Sequence, residues 1–243
     1  MAAPRFFVQL ELTPASIGRT LALPDAAAHH ATRVVRLGIG DALTLFTGAG
    51  GEYAATIADA GRRGAWARVD AFDPVERESP LAVTLAQAIV ANDAMDLAVR
   101  KATELGVTAI QPLLAARSAP LPAGERRDKR HAHWRQVAVA ACEQCGRNRV
   151  PEILAPLPLA DWLGAWRGGG VVFVPDGERT LAALSAAPFA LLIGPEGGLA
   201  PGEVAAARKA GLVAVRLGPR VLRAETAGMA ALAAVNVLWG DLR

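Results

Sequence analysis

From Leu81 onward the chain alternates short apolar runs with helical segments, and this rhythm restricts the fold more than any other feature of the sequence. LAVTLAQAIV, VTAIQPLL, GVVFVPD, FALLIG and VAVRLG are nearly continuous in apolar residues, as strands covered on both faces are. Helices are predicted from Asp93 to Leu105, closed by Gly106, and from Glu125 to Cys145, closed by Gly146. Two more begin near Pro201 and near Ala224. Met95, Ala98, Val99, Ala102 and Leu105 make one side of the first helix apolar, with Asp96–Arg100 and Arg100–Glu104 pairs expected on the other. Trp134, Val137, Ala138, Ala141 and Cys145 form the stripe of the long one. Strand and helix in alternation specify an α/β fold with a mostly parallel sheet covered on both faces.

Residues 1–72 follow another rhythm. RFFVQL, DALTLF, GEYAATIA and AWARVDAF are β-like and separated by glycine-rich turns, with HHATRVVRLG as a short helix ending before Gly38. They suggest a small β-barrel or sandwich. FDPVERESP breaks periodicity with two prolines. The expected organisation is therefore a β domain at 1–72, a linker at 73–80 and an α/β domain at 81–243.

A 243-residue chain that is 52% hydrophobic buries a sizeable core, which excludes a disordered protein. Two cysteines exclude a disulfide scaffold and suit a reducing compartment. MAAPRFFVQLEL lacks the basic and apolar regions of a signal peptide, and no apolar run reaches the roughly 18–20 residues of a membrane span. A soluble, cytoplasmic chain with no membrane partner is expected. Of 26 cations, 23 are Arg, and eight cations face three acids between Arg117 and Arg149 while the net charge is only +3. Such a local patch fits a polyanion-binding enzyme and fits a solvated helix face equally well.

Two strand-to-helix turns carry the chemistry. FALLIGPEGGLAPGEV turns through Gly194, Pro195, Glu196, Gly197 and Gly198, and VAVRLGPRVLRAETAG passes through Arg220 and Arg223 before its helix. Ligands of open α/β sheets bind beyond the carboxyl ends of strands, where such turns gather. Neither turn has a P-loop or a G-x-G-x-x-G fingerprint. Glu196 would repel phosphate, so a neutral or cationic ligand such as the sulfonium of S-adenosylmethionine fits better. Cys142-x-x-Cys145 has no second pair, and His131 and His133 point to different sides of a helix, so the cysteines read as packing residues and no metal site is expected. No nucleophile elbow accompanies any histidine, which argues against a hydrolase. AETAGMAALAAVNVLWG is apolar almost all round, which requires burial on every side and favours homodimerisation over burial in the core alone.

ACEQCGRNRVPEI at 141–153, LLIGPEGGL at 191–199 and LGPRVLRAETA at 217–227 together resemble the bacterial 16S ribosomal RNA uracil-N3 methyltransferase family. HHATRVVRLG, RESPL and KATELGV match the same family in the same order, so the resemblance spans nearly the whole chain. It implies a PUA-like N-terminal β-barrel and a SPOUT-class domain whose parallel sheet ends in a C-terminal trefoil knot. It also implies S-adenosylmethionine as methyl donor, no metal, a homodimer, and 16S rRNA or the small ribosomal subunit as partner. Residue by residue it places the cofactor at Gly194, Glu196, Gly197, Gly198, Leu217, Gly218, Val221, Leu222 and Arg223, with Val174-Pro175 as a third wall outside any matched motif. RNA contacts fall on His30, Arg33, Arg36, Arg147, Asn148 and Arg149.

Uracil N3 is a poor nucleophile until it loses its proton, and an arginine fork would stabilise the charge that then spreads over the flanking carbonyls. Arg223 and Glu225 are the candidates for anion stabilisation and proton acceptance, with Arg220 in reserve; alternatively Arg223 and Glu225 simply cap the last helix. Two other readings stand beside this one. A ribose 2′-O methyltransferase of the same fold would carry a Ser-Leu-Asn triplet where this chain has Ala224-Glu225-Thr226. A non-catalytic RNA-binding assembly factor would have no need of both glycine-rich turns.

Overall fold

In the computed structural model, which describes residues 3–61, 64–187 and 189–242, the N-terminal strands form a five-stranded sheet. It contains Arg5–Phe7 (β1), Thr20–Ala22 (β2), Ala42–Phe46 (β3), Glu52–Gly61 (β4) and Gly64–Asp73 (β5), in the order β1-β3-β4-β5-β2. Burial alternates along β4 and β5, as in a sheet with one wet face, and Phe6, Leu43, Leu45, Ile57 and Val69 fill the dry one. Asp25–His29 (α1) starts earlier than HHATRVVRLG suggests and continues as a wider turn over His30–Val34. The residue with left-handed backbone after it is Arg36 (φ 65°), not Gly38.

By contacts, residues 1–78 form one unit together with 142–150, and 79–141 with 151–243 form the other. The expected linker is thus divided between Glu78 and Ser79, and the central GRNR segment belongs to the N-terminal unit. The segment is held there by buried polar bonds. The Arg147 guanidinium donates to Glu78 (Nε to Oε2, 3.0 Å), the Asn148 amide donates to the Val75 carbonyl (2.8 Å), and Arg5 donates to Asn148 Oδ1 (2.6 Å) and to Glu52. Arg147 is 4% and Asn148 0% exposed. Both were expected as RNA contacts, but here their polar groups are buried and spent on protein partners. The opposing tendencies on Glu52 fit the same network, since burial raises its pKa but the Arg77 and Arg5 guanidiniums more than offset this and lower it.

The second sheet contains Thr84–Ala88 (β6), Ala109–Leu114 (β7), Glu152–Ile153 (β8), Leu157–Pro158 (β9), Gly170–Phe173 (β10), Ala190–Ile193 (β11) and Leu212–Val215 (β12). The order is β12-β10-β11-β6-β7-β8, with β9 also on β7, and every pairing is parallel. Its helices are Asn92–Glu104 (α2), Glu125–Cys145 (α3), Leu159–Ala165 (α4), Pro201–Lys209 (α5) and Ala224–Trp239 (α6). Gly106 (φ 79°) and Gly146 (φ 89°) supply the left-handed residues after α2 and α3. On α2 the expected pairs give way to Lys101–Glu104, while Asp96 takes His133. On α3 the buried stripe is Trp134, Ala138, Ala141 and Cys142, with Cys145 half-buried. Burial pushes the Cys142 thiol up to about 12, which leaves it inert at neutral pH.

Candidate functional site

The strands β10 and β11 lie side by side and both end at the same edge of the sheet, where their following loops open a cavity of about 820 Å³. Its size is that of a small-molecule or cofactor site. Phe173, Val174, Pro175 and Asp176 form one wall, Ile193 to Glu196 with Gly198 and Leu199 a second, and Val221 to Ala224 a third. The glycines answer tight space at one position and left-handed backbone at another. A Cβ on Gly194 would meet the Leu199 backbone nitrogen and Cγ at 3.1 Å, and Gly198 has φ 69° and closes a turn on the Pro195 carbonyl (2.8 Å). The wall is apolar over most of its length, with Asp176, Glu196, Arg208 and Arg223 as its charged members.

Of the residues assigned to the cofactor from sequence, Gly194, Glu196, Gly198, Val221, Leu222 and Arg223 line this cavity, and the Val174-Pro175 wall is present. Gly197, Leu217 and Gly218 do not line it. Gly197 instead presents its carbonyl to Arg117 (2.8 Å), whose side chain lies 3.3 Å from where a Cβ would stand. Glu196 has a second task, since its Oε1 accepts the Ala91 N–H (3.1 Å) at the start of α2 and so fixes the turn. Arg223 sits at the N-cap of α6 and makes no side-chain capping hydrogen bond, which leaves its fork for the cavity. Glu225 occupies the first turn of α6, where the helix dipole favours a carboxylate, and neither it nor the exposed Arg220 lines the cavity. The charged residues Asp176 and Arg208 were missed from sequence. Asp176 directly follows Val174-Pro175 and could have been found with that pair; Arg208 lies on a helix face with no motif.

Among the described residues no cluster of three or more His, Cys, Asp or Glu could hold a metal. His131 bonds the Ile153 carbonyl and His133 bonds Asp96, each at 2.7 Å. In the N-terminal unit Arg33 and Arg36 are exposed, and so is Arg149, which reaches Glu76 at 3.2 Å. His30 packs edge-on against Phe6, with Nδ1 3.7 Å from Glu143. Burial raises the Glu143 pKa, against the Phe7 N–H that bonds it and the nearby His30 and Arg5 charges. A carboxyl raised in the folded state stabilises below its unfolded pKa, and that stability is lost as pH rises through the folded value. Glu143→Gln is therefore expected to gain stability relative to the parent as pH climbs from the ordinary carboxylate range through that raised value, measured by urea unfolding at stepped pH.

A family described as RNA methyltransferase domain matches residues 77–236, and one described as RNA methyltransferase PUA domain matches residues 23–70. The chain belongs to the RNA methyltransferase family. Within it, the Mycobacterium bovis ribosomal RNA small subunit methyltransferase E is 37% identical, over 98% of this chain and 93% of the relative. A ribosomal RNA small subunit methyltransferase E from Neisseria gonorrhoeae, solved bound to S-adenosyl methionine, superposes with TM-score 0.92 at 35% identity over the whole of both chains. A Legionella pneumophila protein in complex with the bound cofactor SAM gives TM-score 0.95 at 34% identity, again over all of both chains.

In this RNA methyltransferase the residue that follows the cavity-lining Asp176 is one where space decides. A Cβ on Gly177 would stand 2.4 Å from the Val215 carbonyl carbon and 2.7 Å from the Arg216 nitrogen, both backbone atoms. Gly177→Ala must push the loop after β10 away from the end of β12 and shift the neighbouring Asp176. It is expected to cost about 1–3 kcal/mol of stability and to weaken S-adenosylmethionine binding about tenfold or more at roughly 1.4 kcal/mol per decade, measured by calorimetry.

Proposed function

We propose that this chain transfers a methyl group from S-adenosylmethionine to N3 of a uridine in the 16S rRNA of the small ribosomal subunit. The observation that carries the reading is the single cavity built from the GPEGG turn, the VLRA segment and the end of β10, at the carboxyl edge of a parallel sheet. Its residues fit the donor. Phe173, Val174, Pro175, Leu199 and Leu222 offer apolar surface for a purine ring, the glycine turns bring backbone polar groups close, and Asp176 and Glu196 suit a ligand with positive charge. S-adenosylmethionine supplies, when bound, a methyl group made electrophilic by its sulfonium.

The chain's own groups then act on the uridine. Arg223 directs its fork at the pyrimidine carbonyls and stabilises the negative charge that develops when the N3 proton leaves. Glu225, two positions after Arg223 and outside the cavity lining, accepts that proton from a base held at the rim, with Arg220 in reserve for the charge. Because N3 lies on the pairing edge of uracil, the target base must be unpaired. Arg33, Arg36, Arg149 and His30 offer the N-terminal unit's contacts to RNA, and Arg33, Arg36 and Arg149 are exposed as phosphate contacts require.

Three finer features belong to the same reading. The N-terminal sheet closes as a PUA-like barrel. The C-terminal segment is knotted: β12 lies at the sheet edge beyond β10, yet α6 packs back against β11 and α2, and the walls of one cavity come from three separate loops. The enzyme is a homodimer through α6, which buries Gly228, Ala231, Leu232 and Val235 in its own chain while Val237 (55%) and Leu238 stay exposed. No helix among the described residues is long and apolar enough to cross a membrane, in keeping with action on ribosomal RNA in the cytoplasm. Calorimetric binding of S-adenosylmethionine, followed by transfer of its labelled methyl to small ribosomal subunits, tests the proposal; binding without transfer to subunit or free RNA would favour an assembly factor.

A further inference from the structure

The cavity runs past the three loops and along one face of α5. Pro201, Val204, Ala205 and Arg208 all line it, at the i, i+3, i+4, i+7 spacing of a single helix face. At about 1.5 Å per residue this face extends roughly 10 Å from Pro201 to Arg208. The helix is fixed in that orientation from its other sides. Ala207 is fully buried, and Glu203 accepts the Ala200 N–H (2.8 Å) and the Ala116 N–H (2.7 Å). Arg208 stands at the far end of that face, exposed, and among the described residues its guanidinium has no ion-pair or hydrogen-bond partner. The next arginine along the chain, Arg216, is bound to the Gly177 and Glu178 carbonyls instead.

The charges divide the cavity between two ligands. A methyl donor with a sulfonium and an ammonium against one carboxylate is net positive, and Asp176 and Glu196 answer it. An unpaired, exposed guanidinium at the last turn of α5 answers an anion. We propose that Arg208 is a substrate-binding residue that takes a backbone phosphate beside the target nucleotide and thereby seats the RNA over the cavity. The proposal rests on the reading of the site as an RNA methyltransferase site. A planar fork on a phosphate forms two charge-assisted hydrogen bonds, which both attract and orient the strand.

The test is steady-state methyl transfer to an RNA fragment of the small subunit at several salt concentrations, with wild type, Arg208→Ala and Arg208→Lys, beside calorimetric S-adenosylmethionine binding by each. Arg208→Ala is expected to raise KM for RNA about tenfold and to flatten the log KM against log salt dependence by about 0.7–0.9, one phosphate's worth. The donor's dissociation constant is expected to stay in place, which also reports an intact fold, and Arg208→Lys to recover the salt slope and part of KM. An unchanged KM for RNA overturns the assignment, and so does a weakened donor affinity with RNA binding intact, which would give Arg208 to the donor's carboxylate. Wild type that binds the donor yet transfers nothing to RNA overturns the function itself, and the Arg208 assignment with it.

Discussion

Replacing Arg223 with alanine is expected to lower methyl transfer by about a hundred- to a thousandfold, the usual cost of deleting a group aimed at charge that develops in the transition state. The residue is exposed, caps no helix through its side chain and lines the cavity, so the loss should appear in single-turnover rate and leave the melting transition where it was. Arg223→Lys should restore little, because a point charge cannot span two carbonyl oxygens as a fork does. Measuring donor affinity in the same variants separates chemistry from binding. A rate that falls only in proportion to donor occupancy would make Arg223 a binding residue and move the catalytic role to Arg220.

The second large effect is on folding. Arg147→Ala leaves the Glu78 carboxylate largely buried without its cation, and is expected to destabilise the N-terminal unit by about 3 kcal/mol. Asn148, Arg5 and Glu52 belong to the same network, so the loss spreads through contacts that hold the segment 142–150 in place. The neighbouring Arg149→Ala removes only an exposed pair with Glu76 and should cost under about 1 kcal/mol. Urea unfolding of the two variants side by side makes the comparison. Equal stability, with RNA binding lost in Arg147→Ala, would return Arg147 to the RNA surface.

That pair also shows where sequence reasoning reaches its limit. Arg147, Asn148 and Arg149 form one polar run, and composition offers nothing to distinguish its members; only the acids at 76 and 78, some seventy positions earlier, decide which arginine is buried. The strands β6, β7, β10, β11 and β12 were legible because both faces are covered and their apolar runs are nearly continuous, broken in β6 and β7 mainly by the buried Gln87 and Gln111. Thr20–Ala22, Glu152–Ile153 and Leu157–Pro158 were not, being two or three residues long and defined by their partners. Leu159–Ala165 was missed for a related reason, since seven residues give barely two turns of periodicity. On α3 the buried cysteine is Cys142 and not Cys145: the chain leaving the helix folds back over it, bringing the Arg149 carbonyl to 3.7 Å from its Sγ.

In the site the loops that bend through glycine announced themselves, since the backbone there must do what few residues permit. The side chains that reach the cavity from regular elements or a loop end, Arg208 and Asp176, carried no such mark. Gly197 was legible as a turn residue, but the Arg117 side chain packed against it turns it away from the cavity. Sequence alone thus found the place and most of its walls, and tertiary partners determined which of the charged residues face inward.

Mass spectrometry of nucleosides tests the central claim most directly. Small ribosomal subunits from a strain lacking this enzyme are incubated with the protein and methyl-labelled S-adenosylmethionine, then digested to nucleosides. Labelled 3-methyluridine, formed only with the protein and lost with Arg223→Ala, is the predicted result. Label recovered instead as a 2′-O-methylated nucleoside would contradict the account, keeping the fold and the donor while assigning the cavity a different acceptor atom.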